Sequence, residues 1–110
     1  MLSSGGDEDE DEEGEVLAEQ EDEPALEEPP KYVVLLHNDD YTTMEFVVEI
    51  LKTYFGKSMD EAMRVMLQVH QTGKGVAGIY SHEIAETKAS QAMEAARSRG
   101  FPLRCTVEKA

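Results

Sequence analysis

The whole net charge of this chain, −14 over 110 residues, sits in its first 30 positions. Fourteen Asp and Glu lie between Asp7 and Glu28 with no Lys or Arg among them, and residues 31–110 carry ten acids against ten bases. The first segment repels itself. Its few apolar residues, Val16, Leu17 and Leu26 among them, are too sparse to offset the entropy of ordering it. Residues 1–30 are therefore expected to form a disordered acidic extension ending at Pro29-Pro30, and residues 31–110 a single folded domain. A flexible chain of thirty residues spans on the order of 30 Å, more when like charges stretch it.

That division limits what the rest can do. A domain of this size buries one core and has no room for a deep enclosed active site. The acidic balance, with no evident basic patch, argues against nucleic acid as a partner. The N-terminus lacks a basic stretch followed by an apolar run, so no secretory signal is read. The strongest apolar run, residues 33–36, is far too short for a membrane span. Cys105 has no second cysteine to pair with, which suits a reducing compartment. A cytoplasmic protein is expected, and nothing demands more than a monomer.

Residues 32–37 read as a buried strand, broken by Asn38-Asp39-Asp40, whose side chains favour turns. Thr42 and Glu45 have the spacing of a capping box. The helix it opens carries Phe46, Val47, Ile50, Leu51 and Tyr54 as an apolar stripe and stops at Gly56. Ser58 and Glu61 form a second box, opening a helix with Ala62, Met66 and Val69 on one face and Met63, Leu67 and His70 on an adjoining one. Gly73 closes it, and Gly73-Lys74-Gly75 reads as a turn rather than a fragment of a phosphate loop. Residues 76–80 form a strand weakened by Gly78. Ser81 caps a third helix through Ile84, Lys88, Gln91, Ala92 and Ala95, which ends by Gly100, and residues 103–107 form a last strand. The order strand, helix, helix, strand, helix, strand predicts an α+β fold, with helices on one face of a small antiparallel sheet.

Chemistry is sparse. No nucleophile has a base at recognisable spacing, no Gly-rich phosphate loop or C-x-x-C is present, and His37, His70 and His82 lack helical metal-ligand spacing. Neither a cofactor nor a metal is expected. The remaining feature is Asn38-Asp39-Asp40, lying between a strand and a helix start, where function tends to gather. Taken alone it is a turn with capping acids, and His70, Met44, Val47, Met66 and Val69 are ordinary helix and core positions. Taken together, a hairpin of the two helices sets an apolar hollow beside a polar rim.

The stretches Tyr32-Val33-Val34-Leu35-Leu36-His37-Asn38-Asp39-Asp40-Tyr41-Thr42, Val69-His70-Gln71-Thr72-Gly73, Ala85-Glu86-Thr87-Lys88 and Pro102-Leu103-Arg104-Cys105-Thr106-Val107 occur in this order and spacing. In them residues 31–110 resemble the bacterial ClpS adaptors. The resemblance implies three antiparallel strands with three helices, as in the C-terminal domain of the ribosomal stalk protein. It implies no enzymatic activity. It implies binding of proteins with a bulky N-terminal Leu, Phe, Tyr or Trp and their delivery to the N-terminal domain of the AAA+ unfoldase ClpA or ClpC of the Clp protease. By the same resemblance, Asn38, Asp39, Asp40 and His70 surround the substrate α-amino group. Thr42 lies near the first peptide bond, and Leu36, Met44, Val47, Met66, Val69 and Leu103 line or gate the side-chain pocket. Glu83 and Lys88 face the unfoldase. Thr43 departs from the proline that many members carry there.

The residue types suit that task. An α-ammonium group donates three hydrogen bonds, which carboxylate, amide and neutral imidazole can accept. Two rival readings are a general interaction domain indifferent to free amines and a metal-dependent hydrolase using Asp39, Asp40 and His70.

Overall fold

The apolar run at the start of the domain becomes the central strand. A computed structural model describes residues 29–110. The expected disordered extension falls outside the described residues except for Pro29 and Pro30. The elements are β1 (Lys31–His37), α1 (Met44–Phe55), α2 (Met59–Thr72), β2 (Lys74–Ser81), α3 (His82–Ser98) and β3 (Arg104–Lys109). The sheet order is β2-β1-β3, with both pairings antiparallel. This is the α+β architecture expected from the sequence.

Side chains alternate across a strand. In β1 the even positions Tyr32, Val34 and Leu36 join the core, with Val34 and Leu36 fully buried. Ala77 and Cys105 enter the same core from the flanking strands. The helices cover this face. From α1 come Phe46, Val47, Ile50, Leu51 and Phe55, and from α2 come Ala62, Met66 and Val69. Each large side chain buried this way contributes about 1.5–3 kcal/mol. An irregularity between Val34 and Leu35 leaves Ala77 as the extra residue of β2, since Val34 pairs with Gly78 and Leu35 with Val76.

The helix stops follow the glycines. Gly56 and Gly73 take left-handed conformations, φ 63° and 97°, and each donates its N–H back to a helix carbonyl, of Leu51 and Val69 respectively. The box at α2 is complete, with Ser58 Oγ accepting from Glu61 N and Glu61 Oε1 accepting from Ser58 N.

Four local expectations are corrected. The cap of α1 is Thr43, whose Oγ1 accepts from Phe46 N at 3.1 Å, so there is no Thr42–Glu45 box. The Thr42 hydroxyl is engaged elsewhere. Lys74 and Gly75 are not a turn. They extend β2 to pair with His37 and Leu36, leaving only Gly73 as the reversal. In α3 the buried stripe is Ala85, Ala89, Ala92 and Ala96, so Ile84 points outward at 50% exposure. Four small residues let this helix lie close to the sheet, and the larger apolar side chain falls off the seam. Ser81 precedes α3 without a side-chain capping bond.

Two close approaches fix the layers. A Cβ at Gly75 would sit 2.8 Å from Val69 Cγ2 and 3.2 Å from the Val65 carbonyl, so glycine lets α2 rest on β2. Lys88 Nζ donates to the Tyr54 carbonyl at 2.9 Å and lies 5.3 Å from the centroid of the Tyr80 ring. That carbonyl belongs to the last turn of α1, where helix acceptors lack an intrahelical partner. One ammonium thus ties α3 to the end of α1 and to β2.

Candidate functional site

The segment from Asn38 to Thr42 is held as a turn by one carboxylate. Asp39 Oδ1 accepts from Tyr41 N at 2.8 Å and from Thr42 N at 2.7 Å, and its Oδ2 accepts the Thr42 hydroxyl at 2.7 Å. Partial burial works to raise the Asp39 pKa, but these bonds together outweigh it and hold the group below its ordinary value. Asp39 is thereby committed to the loop. Asn38 and Asp40 on either side of it are exposed.

The turn is also anchored to α2. Asn38 N donates to the Gly73 carbonyl at 2.9 Å, continuing the pairing of His37 with Lys74 beyond the strands. His70 lies in the last turn of α2, three residues before Gly73, and is exposed. The topology therefore brings the Asn38-Asp40 turn and the C-terminal end of α2 to the same edge of the molecule, with exposed polar side chains on both.

The expected apolar residues divide into two kinds. Leu36, Val47, Met66, Val69 and Leu103 are all in the core, from 0% to 7% exposed. Met44, the first residue of α1, is 47% exposed. Met44 and Met66 also border an open groove of about 520 Å³ between α1 and α2, shared with Met59, Met63, Val48 and Lys52. Neither the polar turn nor His70 lines that groove. Met59 and Met63 were not among the expected pocket residues. The signal was present, because Met59, Met63 and Met66 recur at i, i+4 and i+7 of α2. A methionine-lined surface deforms to fit several shapes.

Glu83 and Lys88, expected to act together on a partner, differ in situation. Glu83 is exposed in the first turn of α3. Lys88 is half-buried on the contacts described above, although it borders the same shallow surface as Glu83, Ile84, Thr87 and Gln91.

On the opposite face of β1, His37 Nε2 lies 2.7 Å from Thr106 Oγ1 of β3. Burial, then the cations of Arg104 and Lys74, push the His37 pKa below its ordinary value, with Glu108 opposing. Cys105 is buried, and burial pushes its thiol up to about 12, so it is no nucleophile at neutral pH. Among the described residues no three His, Cys, Asp or Glu side chains gather as a metal would require, and no helix is long and apolar enough to cross a membrane.

Comparison with known proteins places the sequence and the fold in one family. The family model described as ATP-dependent Clp protease adaptor protein ClpS matches residues 27–106. The ATP-dependent Clp protease adapter protein ClpS of Desulforapulum autotrophicum is 58% identical over 81 residues, covering 74% of this chain and 78% of its own length. That of Maricaulis maris is 56% identical over 85 residues, covering 77% and 78%. Among solved structures, Agrobacterium tumefaciens ClpS2 bound to L-phenylalaninamide superimposes with a TM-score of 0.73 at 43% identity, covering 76% of this chain and all of that one.

Proposed function

The chain belongs to the ClpS family of ATP-dependent Clp protease adaptor proteins, and from that premise we propose that it binds proteins through a free, bulky, hydrophobic N-terminal residue and delivers them to the protease's AAA+ unfoldase. The family description is that of an adaptor serving a protease, and the reading gives this chain no reaction of its own.

The observation that carries the reading is the junction of the Asn38-Asp40 turn with the end of α2 through Asn38 N and the Gly73 carbonyl. In this reading Asn38 and Asp40 on the turn and His70 at the end of α2, all exposed, turn their acceptors to one α-amino group beside helices whose buried faces are apolar. An α-ammonium group needs such acceptors on several sides. Each charge-assisted bond is worth about 1.5–3 kcal/mol. Asp39 belongs to the site as the residue that shapes the loop and presents Thr42 to the first peptide bond. Leu36, Val47, Met66, Val69 and Leu103 form the floor against which a Leu, Phe, Tyr or Trp side chain packs, and half-exposed Met44 is the movable wall at its entrance. L-Phenylalaninamide, the ligand of the related ClpS2, has the required parts: an α-amine, a large apolar side chain and an amide in place of the next peptide bond.

Delivery requires a second surface. The shallow face bearing Glu83, Ile84 and Thr87 supplies exposed charge and a half-exposed apolar side chain for the N-terminal domain of ClpA or ClpC. Lys88 supports that face from below through Tyr54.

Reconstituted proteolysis tests the reading. With ClpA or ClpC, ClpP and ATP, adding this chain should accelerate loss of a reporter beginning with Phe and leave a reporter beginning with Met-Phe unaffected. Equal acceleration of both reporters, or of neither, contradicts it.

A further inference from the structure

The charges of the folded domain are segregated. Its strands carry Lys31, Lys74 and Arg104 on the outer face together with Glu108, and Lys109 on the helix side beside Tyr32, whereas the helices hold seven acids, Glu45, Glu49, Asp60, Glu61, Glu83, Glu86 and Glu94, against four bases, Lys52, Arg64, Lys88 and Arg97. A formally neutral domain thus has a basic sheet beneath an acidic helical layer.

The outer face of the sheet is also apolar along its middle. Cross-strand partners share a face. The odd positions of β1 therefore stand with Ser81, Ile79, Val76 and Lys74 on one side and with Glu108, Thr106 and Arg104 on the other. Val76 is 39% and Ile79 57% exposed. Leu35 lies between Val76 and Thr106, only 7% exposed, and takes no part in the helix-side core. At one end His37, Lys74 and Arg104 sit side by side, and at the other stand Lys31 and, opposite Val33, Glu108. Burial first, then Arg104 and Lys74, lower the His37 pKa there, with Glu108 opposing.

We propose that this outer face receives the chain's own N-terminal acidic segment, with carboxylates against Lys74, Arg104 and Lys31 and the sparse apolar residues Val16, Leu17 and Leu26 against Val76 and Ile79. The segment is the most acidic part of the chain, at fourteen negative charges and no positive ones. It joins the domain at Lys31, the first residue of β1. From there the basic end of the face is one seven-residue strand away, roughly 20 Å. A random-coil chain of about thirty residues would reach on the order of 30 Å, enough for both acid clusters, Asp7–Glu13 and Glu19–Glu23, to lie along the face. Tethering makes the encounter intramolecular, with an effective concentration of order millimolar, so weak charge pairing suffices.

Paramagnetic relaxation in the full chain tests this. A nitroxide is attached at Gln20→Cys, a change that leaves every charge in place, and Cys105 is spared by its burial and raised thiol pKa. The proposal expects loss of amide signal at Lys74, Val76, Ile79 and Arg104, little change at Met63 and Leu67 on the helical side, and recovery in about 1 M salt, where the Debye length falls to ~3 Å. The same recovery is expected in a Lys74→Glu/Arg104→Glu variant, whose own spectrum reports that it is folded. Signal loss on the helical side, evenly everywhere or nowhere overturns the proposal. So does loss that survives both salt and charge reversal. Loss seen when nitroxide-bearing chain is mixed with isotope-labelled unmodified chain identifies a second copy's segment as the occupant and overturns it as well.

Discussion

Asp39 grips Thr42 at two points, accepting its backbone N–H at 2.7 Å on Oδ1 and its hydroxyl at 2.7 Å on Oδ2. The turn that presents Asn38 and Asp40 thus depends on a carboxylate that has little capacity left for a ligand. Asp39→Ala should therefore loosen the loop and weaken binding of a Phe-initiated peptide by roughly tenfold or more, about the effect of 1.4 kcal/mol. Asp39→Asn can keep the acceptor for both backbone donors and should lose less. Fluorescence anisotropy on the two variants checks the order, and equal losses would show that the charge itself faces the ligand.

Gly75 sets how closely α2 rests on the sheet, and through it where His70 stands relative to the Asn38 turn. Gly75→Ala places a methyl 2.8 Å from Val69 Cγ2 and 3.2 Å from the Val65 carbonyl. Overpacking of this kind costs about 1–3 kcal/mol. Urea unfolding should show that loss, and peptide affinity should fall with it because α2 is displaced.

Lys88 should behave as a positioning residue within the fold. Lys88→Met keeps most of the stem and removes the bond to the Tyr54 carbonyl. The position is half-exposed, so the loss is expected near the lower end for a charged hydrogen bond, about 1 kcal/mol. Denaturant titration measures it. Affinity for peptide should be unchanged, since neither contact of Lys88, to the Tyr54 carbonyl and the Tyr80 ring, involves the Asn38 turn.

The lowered pKa of His37 has a definite sign. Burial, Arg104 and Lys74 hold the folded-state value below 6.5, so between the two values the unfolded chain binds more protons than the native one. The contribution is fully present above pH 6.5 and is lost as the pH falls through the folded value. Unfolding free energies from pH 7.5 down to pH 5 should decline more steeply for the natural chain than for His37→Gln. Parallel curves would contradict this.

Much of the fold was legible because independent signals coincided. Val34 and Leu36 alternate with polar or outer-face neighbours, Gly56 and Gly73 stand where helices must reverse, and Ser58 with Glu61 forms a complete box. The cap of α1 was misread because two adjacent threonines offered the same hydroxyl. Only the structure shows Thr42 drawn off by Asp39 and Thr43 left for Phe46 N. In α3 alanine carries too little hydrophobic signal to mark a buried stripe, and Ile84 drew attention to the wrong face. At the site, the polar turn was visible in Asn38-Asp39-Asp40, but local sequence does not separate an acid that binds a ligand from one that binds its own loop. Nor does it show Lys88 reaching Tyr54, 34 residues earlier.

The central claim is tested most directly by titrating a Phe-initiated peptide and its N-acetylated twin against the natural chain and Asp40→Ala. A rim that reads the α-ammonium group predicts that acetylation weakens binding to the natural chain at least about tenfold, from the loss of charge-assisted bonds, and that Asp40→Ala removes much of that difference. Equal affinity of the natural chain for both peptides would contradict the account.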